Sequence, residues 1–222
     1  MNNKIVLFSN IKGGVGKSTL CILFAHYLAS NGIAVSVVDA DIQRTISRQR
    51  ERDKSQYPEF PEPWEVISIF DVGKKDGNAK NIIPVLQQEE GWVLVDCPGN
   101  MEVDRLVPFF KSADAVVIPT SYAEPDIDAT LSLFVPTLRD ENDKAKFIFV
   151  PNRINDKMQK NMEDIKAARH KAISLIKGWG HVTAKIKQSV IFEPHRFNTM
   201  DKLTMYQLNG VKYPFEEIIS LL

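Results

Sequence analysis

This chain has very little of several things. It has two cysteines, Cys21 and Cys97, in 222 residues, and they form neither a CxxC pair nor zinc-like spacing. That excludes a disulfide framework and points to a reducing compartment, the cytosol. It has no excess of charge, with 28 basic and 28 acidic residues, so net charge names no partner. No apolar run approaches the ~20 residues that span a bilayer. No basic-then-apolar leader precedes the first apolar run, so a signal peptide is not expected. Internal repeats and low-complexity tracts are also missing. What remains, at 44% hydrophobic and 25% charged, is an ordinary globular composition, and the length fits one large domain over residues 1–222.

The order of apolar runs is informative. "KIVLFS" reads as a buried strand, ended by a glycine-rich turn. "KSTLCILFAHYLASNG" has helical spacing and a glycine stop, and "IAVSVVDAD" is a second buried strand. Together they make a βαβ unit. Further strands are expected at "EVISIF", "GWVLVDCPG", "DAVVIPT", "KAKFIFVPNR" and, more weakly, "QSVIF". Helices are expected at "QRTISRQRERDK", "AKNIIPVLQQEE", "MEVDRLVPFFKSA", "EPDIDATLSLFVPTLRD", 156–178 and "PFEEIISLL". Alternating strands and helices predict an α/β fold: a mostly parallel twisted sheet with helices on both faces. Ligands then sit at the carboxyl ends of the strands. Gly13–Ser18, Asp39, Asp41, Asp96 and Pro151–Arg153 all fall at such ends.

"SNIKGGVGKST" matches the end of the phosphate-loop pattern G-x-x-x-x-G-K-[ST] but has Ile11 where the first glycine belongs, and a second lysine, Lys12. Gly13, Gly14, Val15 and Gly16 can turn backbone amides toward phosphate oxygens, and the following helix N-terminus adds positive potential. Lys17 is expected on the β- and γ-phosphates and Ser18 on magnesium. Asp96 ends a hydrophobic strand, the usual second element that holds the magnesium shell. Asp39 and Asp41 repel each other unless a cation or water network lies between them. Beside Mg-ATP, one can join the outer shell and one can orient the attacking water. Lys12 precedes the cradle and cannot easily share the phosphates of Lys17. It could reach a nucleotide in a facing subunit, as an arginine finger does.

These motifs resemble those of the ParA/MinD ATPases. "KGGVGKST" is similar to their deviant Walker A box, with the signature lysine at Lys12. "VVDADIQ" resembles their D-x-D-P-Q motif, with Ile42 in place of proline, and "VLVDCPG" their Walker B strand and switch, with Gly99 at the second proline of D-x-P-P. "PNR" at Pro151–Arg153 is similar to the loop that holds adenine. The specific motifs cover residues 9–155. The resemblance implies a single P-loop NTPase domain, a homodimer around two Mg-ATP molecules with Lys12 crossing between subunits, and slow hydrolysis stimulated by a ParB-like partner. It also implies Asp41 on the attacking water, Asp39 and Asp96 supporting magnesium, and Thr19 on the α-phosphate.

The phosphate loop starts at position 12, which leaves no room ahead of it for an operator-reading domain; that is similar to the small ParA type of plasmids and mobile elements. Residues 151–202 hold eleven Lys+Arg against five Asp+Glu, whereas 89–143 hold three against twelve. A basic, mostly helical 156–222 part suits non-specific DNA binding. Its candidates are Lys157, Lys160, Lys166, Arg169, Lys171, Lys185, Lys187 and Arg196. "KYPFEEIISLL" carries Glu216 and Glu217, a poor match to a membrane-binding helix. Rival readings are an iron–sulfur carrier using Cys21 and Cys97, a metabolic ligase of the same fold, and an adaptor that uses ATP only to dimerise. Helix periodicity buries Cys21, which makes both cysteines packing residues.

Overall fold

The computed structural model describes residues 3–72, 82–99, 103–155, 163–193 and 196–222. Seven strands form one parallel sheet: β1 (Lys4–Phe8), β2 (Val35–Asp39), β3 (Glu65–Ser68), β4 (Trp92–Asp96), β5 (Ala115–Thr120), β6 (Lys146–Pro151) and β7 (His181–Val182). Their order is β3-β2-β4-β1-β5-β6-β7. The central strands are mostly apolar because helices cover both faces. Alternate residues divide between two cores. Ile5, Leu7, Val93, Val95, Val116 and Phe149 face one side, and Val6, Phe8, Leu94, Val117, Ile148 and Val150 the other.

On the second side lies α1 (Lys17–Ser30), which is buried around most of its circumference. The last helix, α9 (Met205–Leu221), lies against it. Phe24 meets Phe215 at 4.9 Å and Trp92 at 5.7 Å, both edge-on. Such a helix has no polar face to show, because it sits between the sheet and a second helix. The remaining helices are α2 (Thr45–Gln56), α3 (Ile69–Val72), α4 (Ile83–Leu86), α5 (Val103–Ser112), α6 (Glu124–Ala129), α7 (Val135–Glu141) and α8 (Glu163–Lys177). A π-helical turn, Thr130–Phe134, joins α6 to α7. Pro136 stands in the first turn of α7. A proline there has no N–H to give to a regular helix, and a widened turn absorbs the loss.

Insertion of β4 between β1 and β2 positions the site. Phe8 and Asp39 are both in register with Asp96. The loop after β1 and the carboxylates ending β2 and β4 therefore open on one crevice.

Two expectations need correction. "QSVIF" is not a strand: Val190–Phe192 form a 3-10 turn capped by the Ser189 hydroxyl. Three apolar residues cannot distinguish the two from pattern alone. Among its described residues the part after residue 155 is mostly helical through α8 and α9, but between Lys177 and Met205 they hold only β7 and that turn. The final helix begins well before "PFEEIISLL", at a capping box of Thr204 and Gln207, and runs through Gly210 and Pro214. The turn expected at "KKDGN" and the candidates Lys157 and Lys160 lie outside the described residues.

Candidate functional site

The loop between β1 and α1 is shaped by its glycines and braced from β6. Gly14 and Gly16 have φ of +74° and +93°. A Cβ on Gly16 would lie 2.5 Å from Asn152 Nδ2, so no other residue fits there. Asn152 Nδ2 donates to the Val15 carbonyl at 2.8 Å, and Arg153 Nη1 donates to the Gly14 carbonyl at 3.0 Å. Arg153 itself takes a left-handed φ of 56° to reach it. Bonding two carbonyls outward leaves the loop's amides turned toward the crevice. These side chains thus hold the loop, a task the resemblance of "PNR" to an adenine loop does not convey.

Beside Gly16 opens a cavity of about 250 Å³, lined among others by Thr19, Leu23, Arg153, Gln188, Phe192 and Glu193. Its mixture of apolar walls and amide or carboxylate edges suits a flat heterocycle. Asn152 and Arg153 line it and Pro151 does not. Nothing in the sequence marked the 186–193 wall as part of a base cavity; "QSVIF" within it reads only as a weak strand.

The two lysines take different paths. Lys17 is buried, and its Nζ donates to the Lys12 carbonyl at 3.4 Å. A Cβ on Gly99 would stand 3.2 Å from that Nζ, so the switch loop after Asp96 closes directly over it. Lys12 points away from the cradle. Its Nζ lies 3.8 Å from Asp126 Oδ1, with both side chains about a third exposed. Asn10 fixes the backbone there: its Oδ1 accepts from the Lys12 N–H and from Thr130 Oγ1, both at 3.2 Å. The Ser121 hydroxyl donates to the other Asp126 oxygen at 2.6 Å.

The three aspartates differ in state. Asp39 is fully buried, and its Oδ2 accepts from both the N–H and the hydroxyl of Ser47 at 2.8 Å. It thereby caps α2, whose own N-cap, Arg44, supplies no side-chain bond. Burial raises the Asp39 pKa, and the Ser47 bonds oppose that. Asp41 is half-exposed; its Oδ1 accepts from the Gln43 N–H at 2.8 Å. Asp96 is buried, and neither of its oxygens has a hydrogen-bond partner. Burial, with the Asp39 charge adding, pushes it up to about 8; the Ser18 hydroxyl and the Lys17 charge pull the other way.

An orphaned buried carboxylate is costly unless something arrives to use it. A magnesium ion beside Ser18 fits that need. Among the described residues no three His, Cys, Asp or Glu side chains are grouped as a cation cage. The ion would therefore draw much of its shell from phosphate and water, as magnesium usually does. Cys21 and Cys97 are both fully buried, and burial raises both thiols far above their ordinary range, which makes them inert packing groups.

The chain is 27% identical over 135 residues to Protein virC1 of Rhizobium rhizogenes, covering 59% of this chain and 54% of that one. It is 27% identical over 165 residues to ParA family protein MG470 of Mycoplasma genitalium, covering 68% and 60%. It thus spans little more than half the length of these relatives. Its fold matches a putative plasmid partition protein of Borrelia burgdorferi B31 bound to AMPPNP, with a TM-score of 0.75, 18% identity and 100% of both chains covered. It also matches MinD in the MinC:MinD complex of Aquifex aeolicus, with a TM-score of 0.66, 17% identity and 98% and 96% covered. At such identities the likeness shows the fold alone. The family description "CobQ/CobB/MinD/ParA nucleotide binding domain" fits residues 6–190, and the chain belongs to that family.

Proposed function

We propose that this chain is a Mg-ATP-dependent, dimerising ATPase that acts as a switch in the partition of plasmid or mobile-element DNA and binds DNA non-specifically in its ATP state. One observation carries the reading. A braced phosphate loop presents one lysine into its cradle and a second away from it, with three carboxylates at the same sheet edge.

Bound Mg-ATP supplies the transferable γ-phosphoryl group and a cation that spreads its charge. Every other task falls to side chains. Lys17 leaves the Lys12 carbonyl for phosphate oxygens, and the loop amides hold the rest. Ser18 and Asp96 would hold the cation, with Asp39 fixed by Ser47 beside them. Asp41 has one oxygen engaged by Gln43 and a second with no described partner, which can accept a proton from an attacking water. Lys12 exchanges Asp126 for the phosphates of a facing subunit, where its charge stabilises the transfer. Thr19 borders the base cavity, from which it would meet the α-phosphate.

A membrane platform is the weaker alternative. Helix α9 spends its apolar side on the core through Val211, Phe215 and Ile218, and Glu217 is engaged with His181 and the Ala184 N–H. Its exposed side carries Met205, Tyr206 and Tyr213 together with Glu216, and an acid there suits an anionic membrane surface poorly. Among the described residues no helix is long and apolar enough to cross a membrane. The test is binding to a random-sequence duplex with ATP–Mg, ADP–Mg and no nucleotide at several salt concentrations. Binding confined to ATP and weakening steeply with salt supports the switch. Absence of binding in every state removes DNA from it.

A further inference from the structure

Helix α2 carries Arg48, Arg50, Arg52 and Lys54, which are not equivalent. Arg50 is buried: it donates to Thr199 Oγ1 at 3.0 Å, to Glu62 at 2.9 Å and to the Trp64 carbonyl at 2.7 Å, with its guanidinium 4.1 Å over the Trp64 ring. Lys54 is paired with Glu62. Asp53 accepts from the Thr199 N–H at 2.7 Å and from its hydroxyl at 2.9 Å, and Gln49 donates to the Phe197 carbonyl. The inner face of α2 is thus bolted to residues 197–199.

Outside those bolts lies an open cleft of about 570 Å³, lined among others by Gln49, Arg52, Gln56, Tyr57, Arg196 and Asn198. Arg52 and Arg196 are exposed and form no ion pair with a described residue. The acid in the wall, Asp53, is buried and occupied by Thr199. Among the described residues the cleft therefore offers two guanidinium groups without an ion pair, amide donors and no available carboxylate. Guanidinium forks match phosphate oxygens in pairs, and an open trough suits a continuous backbone better than an enclosed small molecule.

We infer that the cleft between α2 and residues 196–198 seats the phosphate backbone of duplex DNA, with Arg52 and Arg196 as its contacts. The inference rests on the DNA reading proposed above. It adds a contact outside the basic 151–202 stretch, on a helix whose first turn is capped by Asp39 of the nucleotide motif. The wall that carries Arg52 is therefore attached to the site that binds ATP.

The test uses the full chain with ATP–Mg and a random-sequence duplex, comparing wild type with Arg52→Ala, Arg196→Ala, the double variant and the control Lys144→Ala. Each cleft variant is expected to weaken binding equally across sequences and to lower the log–log salt slope by about 1, the double by about 2. The control and nucleotide affinity should not change. Cleft variants with the wild-type slope would overturn this inference while leaving the DNA reading intact. A wild type that binds no duplex overturns both.

Discussion

Within one subunit the Lys12 ammonium faces the Asp126 carboxylate at 3.8 Å, while the neighbouring Lys17 ammonium turns inward to the Lys12 carbonyl. One loop thus parks one cation outside the cradle and one inside it. A half-exposed pair of this kind is worth about 0–1 kcal/mol, so it holds Lys12 only loosely. Asp126→Ala should leave ATP affinity unchanged and tighten ATP-dependent dimerisation by up to about fivefold, because the lysine no longer leaves a partner behind. Sedimentation at graded protein concentration checks this. A weaker dimer would mean that Asp126 guides Lys12 across the interface instead of retaining it.

The brace from β6 gives a second prediction. Gly16→Ala places a Cβ 2.5 Å from Asn152 Nδ2 at a φ of +93°, so ATP binding should be lost and the fold weakened by about 1–3 kcal/mol. Asn152→Ala removes only the bond to Val15, and its cost should be about 1 kcal/mol in nucleotide binding, near fivefold. Titration with a fluorescent ATP analogue separates the two.

Much of this was legible in the sequence, for a physical reason. Strands buried on both faces are mostly apolar, so β1, β2, β4, β5 and β6 stand out as runs, and a phosphate loop needs glycines where φ is positive. The strand order was not legible, because pairing is set by which helices fit which face. Nor were the shortest or most interrupted pieces: β7 has two residues, and α9 runs through Gly210 and Pro214. The aspartate motif named carboxylates that the fold brings to one crevice but not their states. Only the structure separates Asp39, satisfied by Ser47, from Asp96, satisfied by nothing.

Asp96 should therefore trade stability for function. Its folded pKa, raised to about 8, lies above its unfolded value, so its contribution is lost as pH rises from about 4 through about 8. Asp96→Asn should stabilise the nucleotide-free protein relative to wild type, by a margin growing to on the order of a few kcal/mol at pH 8.5 and small at pH 5. The same variant should lose magnesium-dependent hydrolysis. Thermal melts across that range decide it.

His26 should act in the opposite sense. Its Nε2 lies 3.0 Å from the Asn198 carbonyl and its Nδ1 3.4 Å from Trp64 Nε1, so the neutral ring donates from Nε2 and accepts at Nδ1. Burial lowers its pKa from 6.5 to about 4. A depressed folded pKa gives stability that is present above 6.5 and lost as pH falls toward 4, worth about 3 kcal/mol. Between pH 7 and 4.5 wild type should lose more stability than His26→Gln, as urea melts would show. Parallel losses would place the acid sensitivity elsewhere.

The most direct test of the switch is the mass of the chain in solution with ATP–Mg, ADP–Mg and no nucleotide, for wild type, Lys12→Ala and Asp41→Ala. The predicted result is a dimer for wild type with ATP alone, a persistent monomer that still binds ATP for Lys12→Ala, and a dimer that does not decay for Asp41→Ala. A Lys12→Ala chain that dimerises like wild type would contradict the role given to the second lysine, and with it the account of how this site works.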